Sequence, residues 1–92
     1  PLPPPRKPLT QFELETIRYG MTVEQVEDKL AREADRVETE YDKGIKGYTS
    51  PTLTAWHYWD NDDGSGIRIG FISNVVAEKE VIDPNKPTNS TN

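Results

Sequence analysis

Few residue types in this chain can do covalent or acid–base chemistry. His57 is the single histidine, and there is no cysteine. A multi-histidine metal site, a zinc knuckle, a disulfide framework and a cysteine nucleophile are therefore excluded. A serine nucleophile needs a base beside it, and the chain has no G-x-S-x-G elbow. Asp60, Asp62 and Asp63 look at first like a calcium loop. Counting from Asp60, however, Ser65 stands where an EF-hand needs glycine, and Phe71 where it needs glutamate. A tight acidic hairpin is the better reading. Glu38 and Glu40 fall on one strand face, about 7 Å apart. Both carboxylates then share one environment, so nothing separates their pKa values for acid–base work. They read as a solvated edge, and His57, set between aromatics, reads as packing. No nucleophile, base and orienting group can be assembled. Neither an enzyme, a cofactor nor a metal is expected.

The most informative cluster is Trp56-His57-Tyr58-Trp59. On a strand, Trp56 and Tyr58 point to one face and His57 and Trp59 to the other. Two helices cannot cover both faces. At least one tryptophan therefore stands outside the helix-packed core, where large aromatics form binding patches or are covered by a loop or tail. The core set is expected to be Trp56 with Tyr58, because they flank the more polar His57. Trp59 and His57 are then expected on the far face beside Arg68 and Glu78 or Glu80. The candidate binding residues are Trp59, His57, Arg68, Tyr58 and Trp56. A one-residue slip in register exchanges the two tryptophans.

The elements that must position this cluster are legible as patterns. Thr10 with Glu13 is a capping box, and Gly20 can close the helix it opens. Thr22 with Gln25 is a second box, with Met21 placed to staple onto Val26. Val23, Val26, Leu30, Ala31 and Ala34 form one apolar stripe, so the second helix is expected to run to Ala34. The period then changes to 2. Val37, Thr39 and Tyr41 alternate with Glu38, Glu40 and Asp42, and a glycine-containing loop over 43–51 follows. Leu53 to Trp59 is a second strand, 60–66 a hairpin loop, and Ile67, Ile69 and Phe71 mark a third strand. Ser73-Asn74 turns the chain into a fourth, Val75 to Ile82. The fold class expected is α+β: two short N-terminal helices, then an antiparallel meander of three or four strands. Gly20 is expected at positive φ and Gly66 in a loop, so alanine should be worse tolerated at Gly20.

Composition separates this domain from its ends. The chain has 92 residues, 33% hydrophobic. Residues 1–8 and 84–92 hold seven of the eight prolines. The boundaries expected are a proline-rich linker at 1–8, one domain at 9–83 and a disordered tail at 84–92. Pro1, Pro4 and Arg6 match an SH3 ligand pattern, but a stiff polyproline II spacer is the simpler reading. Asn89-Ser90-Thr91 is a glycosylation sequon. The net charge is -5, and residues 9–83 carry 8 Lys and Arg against all 16 acids. An acidic domain without a basic stripe argues against nucleic acid and against anionic lipid surfaces. No apolar run approaches a membrane span, and no signal peptide is visible.

Two runs together resemble a known family. The first is Ile17-x-x-Gly20-Met21-Thr22-x-x-x-Val26-x-x-x-Leu30. The second begins with Tyr58-Trp59-x-x-x-Asp63-Gly64. It continues as Ile67-x-Ile69-x-Phe71-x-x-x-x-Val76-x-x-Lys79. Over about residues 12–80 the chain is similar to small bacterial envelope lipoprotein domains of the Bam-complex assembly type. The β-lactamase-inhibitor-protein repeat shares that fold. The resemblance implies an extracytoplasmic, envelope-located domain, with any lipid anchor upstream of Pro1. It also implies a non-enzymatic role in binding an envelope protein through an exposed sheet face. The alternative is a small-ligand or glycan-binding domain that stacks sugars on tryptophan and tyrosine.

Overall fold

A computed structural model of the chain describes residues 7–84. The expectations for the proline-rich ligand or linker, the far C-terminal tail and the sequon lie outside those residues, apart from Lys7, Pro8 and Pro84. Six elements follow in order: α1 (Gln11–Glu15), α2 (Val23–Leu30), β1 (Arg36–Asp42), β2 (Thr52–Asp60), β3 (Gly66–Ile72) and β4 (Val75–Ile82). The strands form one antiparallel sheet in the order β1-β2-β3-β4. The α+β expectation needs correcting in weight. Strand takes 44% of the structure and helix only 17%. The molecule is a sheet braced by two short helical segments, not two layers of equal standing.

Both helices are shorter than their apolar patterns suggest, for reasons visible in their hydrogen bonds. Both capping boxes form, at Thr10 with Glu13 and at Thr22 with Gln25. The Thr10 hydroxyl and backbone N–H bonds hold the Glu13 carboxyl below its ordinary pKa. α1 stops at Glu15 so that Ile17 can turn into the core, where it is buried. The carbonyls at this end are not orphaned: Leu14 O accepts the Ile17 N–H at 3.0 Å, and the Lys79 ammonium on β4 donates to Ile17 O at 2.8 Å and also to Leu14 O at 3.3 Å. α2 stops at Leu30 rather than Ala34. Ala31 adopts left-handed φ, 58°, and Arg32 N–H bonds back to Glu27 O while Ala31 N–H bonds to Asp28 O. That is a Schellman closure with alanine in glycine's usual seat. Arg32 is then committed to β2: its carbonyl accepts the Trp59 indole N–H at 2.9 Å, and its guanidinium donates to Asp60 O at 2.6 Å.

The core lies on one side of the sheet. Leu9, Leu14, Ile17, Val26 and Leu30 from the N-terminal segment pack on Trp59, Ile67, Ile69, Phe71 and Val76. The junction between the helices is hooked to β4, with Gly20 N–H on Val76 O and Val76 N–H on Met21 O. Gly20 has φ 90° with open space around it. Gly66 is not a loop residue. It begins β3, and a Cβ there would clash with the Trp59 carbonyl oxygen, so alanine is expected to be worse tolerated at Gly66 than at Gly20. A two-residue turn at Ser73-Asn74, both at positive φ, joins β3 to β4. The helices cover β3, β4 and the end of β2. Every residue of β1 is exposed.

Candidate binding surfaces

Register decides where the aromatic cluster goes. Trp59 pairs with Ile67, His57 with Ile69 and Ala55 with Phe71, so these share the helix-covered face. Trp59 is 0% exposed and belongs to the core. The expectation that Trp59 and His57 occupy the far face is therefore reversed. The difference has a physical source. Polarity argues for placing His57 on the far face, but it sits at the rim of the helical cover, where a half-buried ring is tolerated. Its ring lies edge-on to Phe71 at 4.7 Å and stacks at 6.2 Å on Trp59. Burial lowers the His57 pKa, with Glu27 pulling weakly the other way. Neither residue presents a surface to a partner on the open face.

Trp56, Tyr58 and Arg68 do come together on the open face, with Glu80. Trp56 lies over Gly70, its directly paired residue, where any Cβ would meet its ring at 3.2 Å. The Arg68 guanidinium covers the Trp56 ring at 3.9 Å, donates to the Tyr58 hydroxyl at 3.1 Å and pairs with Glu80. Arg36 covers Tyr58 at 4.0 Å and donates to Glu38 and Asp60. The Trp56 indole N–H is taken by Glu40 at 2.9 Å. Among the described residues no helix covers this face, yet Trp56 is only 6% and Tyr58 9% exposed. A lattice of guanidinium over ring and carboxylate beside guanidinium does the covering. Such stacking is worth about 0.5–2 kcal/mol per cation–ring pair.

The exposed aromatic surface lies elsewhere. Tyr41 and Leu53 are direct cross-strand partners, 65% and 56% exposed, and Val37 stands four residues back, opposite His57, at 51%. By register they occupy the helix side of the sheet, on the flank the helices do not reach. The adjoining loop turns Ile45 and Tyr48 to solvent as well, held in shape by an Ile45–Thr49 bridge. None of these five was among the sequence candidates. The signal was present, since Val37 and Tyr41 alternate with acids. Pattern alone, however, assigns such residues to the core. Helices totalling 13 residues are too short to cover four strands.

Among the described residues no group of three or more His, Asp or Glu could hold a metal ion, and no helix is long and apolar enough to cross a membrane. Comparison with family models, with curated proteins and with solved structures finds no match to this chain.

Proposed function

We propose that this is a non-enzymatic protein-binding domain that engages its partner through the uncovered flank of the sheet, over β1 and the first half of β2. One observation carries the reading. Among the described residues eight large apolar side chains are exposed, and five of them, Val37, Tyr41, Ile45, Tyr48 and Leu53, belong to one hairpin. Exposed apolar side chains gathered on one hairpin mark interaction sites, and tyrosine suits them because its ring is apolar and its hydroxyl stays wet. The two motif runs support a setting in the bacterial cell envelope with an envelope protein as partner. The sugar-stacking alternative has less support at Trp56 and Tyr58, whose ring faces already carry guanidinium groups.

A photo-crosslinking side chain at position 41 tests the reading, with one at Glu24 on the solvent side of α2 as the control. In envelope extracts position 41 should give a discrete adduct, position 24 should not, and Leu53→Ser should remove the adduct while leaving Trp59 fluorescence buried. Equal labelling from both positions would overturn the proposal.

A further inference from the structure

Backbone groups on β1 define this site further. Asn61 N–H bonds to Ser65 O across the β2–β3 turn. In an antiparallel ladder every second residue turns its N–H and C=O to the same neighbour. Counting back along β2, Trp59, His57 and Ala55 face β3, while Tyr58, Trp56 and Thr54 face β1. Carried through the β1–β2 register, Arg36, Glu38, Glu40 and Asp42 bond to β2. Val37, Thr39 and Tyr41 turn their backbone groups to the outer edge, which no strand among the described residues pairs, since β1 ends the strand order.

The two sheet edges are treated differently. The start of β4 is occupied by the helix junction, through the Thr22–Val75 bridge and the two bonds between Val76 and Gly20–Met21. Its ladder with β3 is also broken by a bulge at Gly70/Phe71. These are ordinary ways to blunt an edge. β1 has neither. Its seven residues pair with β2 without a shift. On the open face its side chains run Arg36, Glu38, Glu40, Asp42, and on the other face Val37, Thr39, Tyr41.

We infer that the free edge of β1 accepts an extended basic segment of the partner as a fifth, antiparallel strand, an inference that rests on the protein-binding reading above. Lysine or arginine at alternate positions would stand opposite Asp42, Glu40 and Glu38, and an acid opposite Arg36. The intervening apolar residues would lie against Tyr41, Thr39 and Val37 and extend the exposed flank. Charge selects this occupant over a second copy of the chain. Two β1 strands centred on Thr39 would pair Arg36 with Asp42 but would place Glu38 opposite Glu40 twice, and like charges directly opposite are destabilising. Addition of a strand obtains its affinity from main-chain bonds and its selectivity from alternate side chains.

The probe is the capped peptide Lys-Val-Lys-Val-Lys-Val-Glu, titrated into the full chain and followed by amide NMR and hydrogen exchange. Binding should protect the amides of Val37, Thr39 and Tyr41, with little change at Glu38 and Glu40, which already bond to β2. A non-alternating peptide of the same composition should leave them unprotected. Glu38→Lys should weaken the peptide roughly fivefold to tenfold, and exchanging the peptide's third lysine for glutamate should restore it. Thr39→Pro removes an outward N–H that β2 does not use, so it should weaken binding with the sheet intact. Shifts spread over the acidic side of α2, or no rescue by the charge exchange, would overturn the inference. So would concentration-dependent protection of the same amides without peptide, which would give the edge to a second copy. Crosslinking from position 41 that is indifferent to Thr39→Pro would leave a protein-binding flank in place and sink only the added strand.

Discussion

The two tryptophans offer the sharpest test of the structure, because they differ by three residues in sequence and by a whole sheet in environment. Trp59 is fully enclosed between the helices and β3, and its indole N–H reaches the Arg32 carbonyl. Truncation to alanine removes the largest fully buried side chain. Large-to-small changes of this type cost about 3–5 kcal/mol. Stranding the Arg32 carbonyl adds about 1 kcal/mol or more. A domain of this size has a total stability of only about 5–10 kcal/mol. Trp59→Ala should thus leave most molecules unfolded or close to it. Trp56 is nearly as hidden but rests on an open face, under one arginine and beside Glu40. Its removal loses a cation–ring contact of about 0.5–2 kcal/mol, and a part-buried hydrogen bond of about 1 kcal/mol. Arg68 and Thr54 can then settle over Gly70. We expect about 1–3 kcal/mol for Trp56→Ala. Urea denaturation followed by circular dichroism measures both, with Trp59→Phe as a volume-sparing control of intermediate cost. If Trp56→Ala proves as damaging as Trp59→Ala, the open-face lattice is a second core and the face assignment loses its energetic meaning.

Three further outcomes follow from local geometry. Ala31→Gly should raise the thermal midpoint by a few degrees, about 0.5–1 kcal/mol, because it relieves a left-handed alanine at the end of α2; calorimetry showing a loss would contradict that closure. Gly66→Ala should destabilise much more than Gly20→Ala: its Cβ meets a backbone carbonyl, whereas the one at Gly20 meets open space and costs only about 1 kcal/mol of strain. Denaturation midpoints in the opposite order would show that β2 and β3 can separate at Asp60. His57 is held below its ordinary pKa by burial, so the unfolded chain binds the extra proton more readily. Its penalty is absent above the unfolded pKa of about 6.5 and grows as pH falls from there toward the folded value. The stability gap between wild type and His57→Gln should shift against wild type between pH 7.5 and 5.5, and a gap independent of pH would show that His57 is solvated.

Local signals were sufficient wherever one residue type answers one backbone need. Thr10 with Glu13 and Thr22 with Gln25 cap helices because their side chains reach orphan N–H groups three residues away. Ser73-Asn74 turns the chain because those residues tolerate positive φ, and the period-2 runs are strands at almost the boundaries their alternation suggests. What local pattern could not decide was where anything long-range begins or ends. α2 carries apolar residues to Ala34, yet it stops at Leu30 because Arg32 is claimed by Trp59 and Asp60, some 27 and 28 residues away. Alternation separates Trp56 from Trp59 but cannot say which face the helices take. That choice belongs to the pairing of Trp59 with Ile67, which puts it among the residues of β3 that meet the helices. The candidate surface was hidden for the same reason. Val37, Tyr41 and Leu53 read as core by their hydrophobic alternation, and they are exposed because two short helices cover β3, β4 and only the end of β2, leaving β1 and the first half of β2 bare.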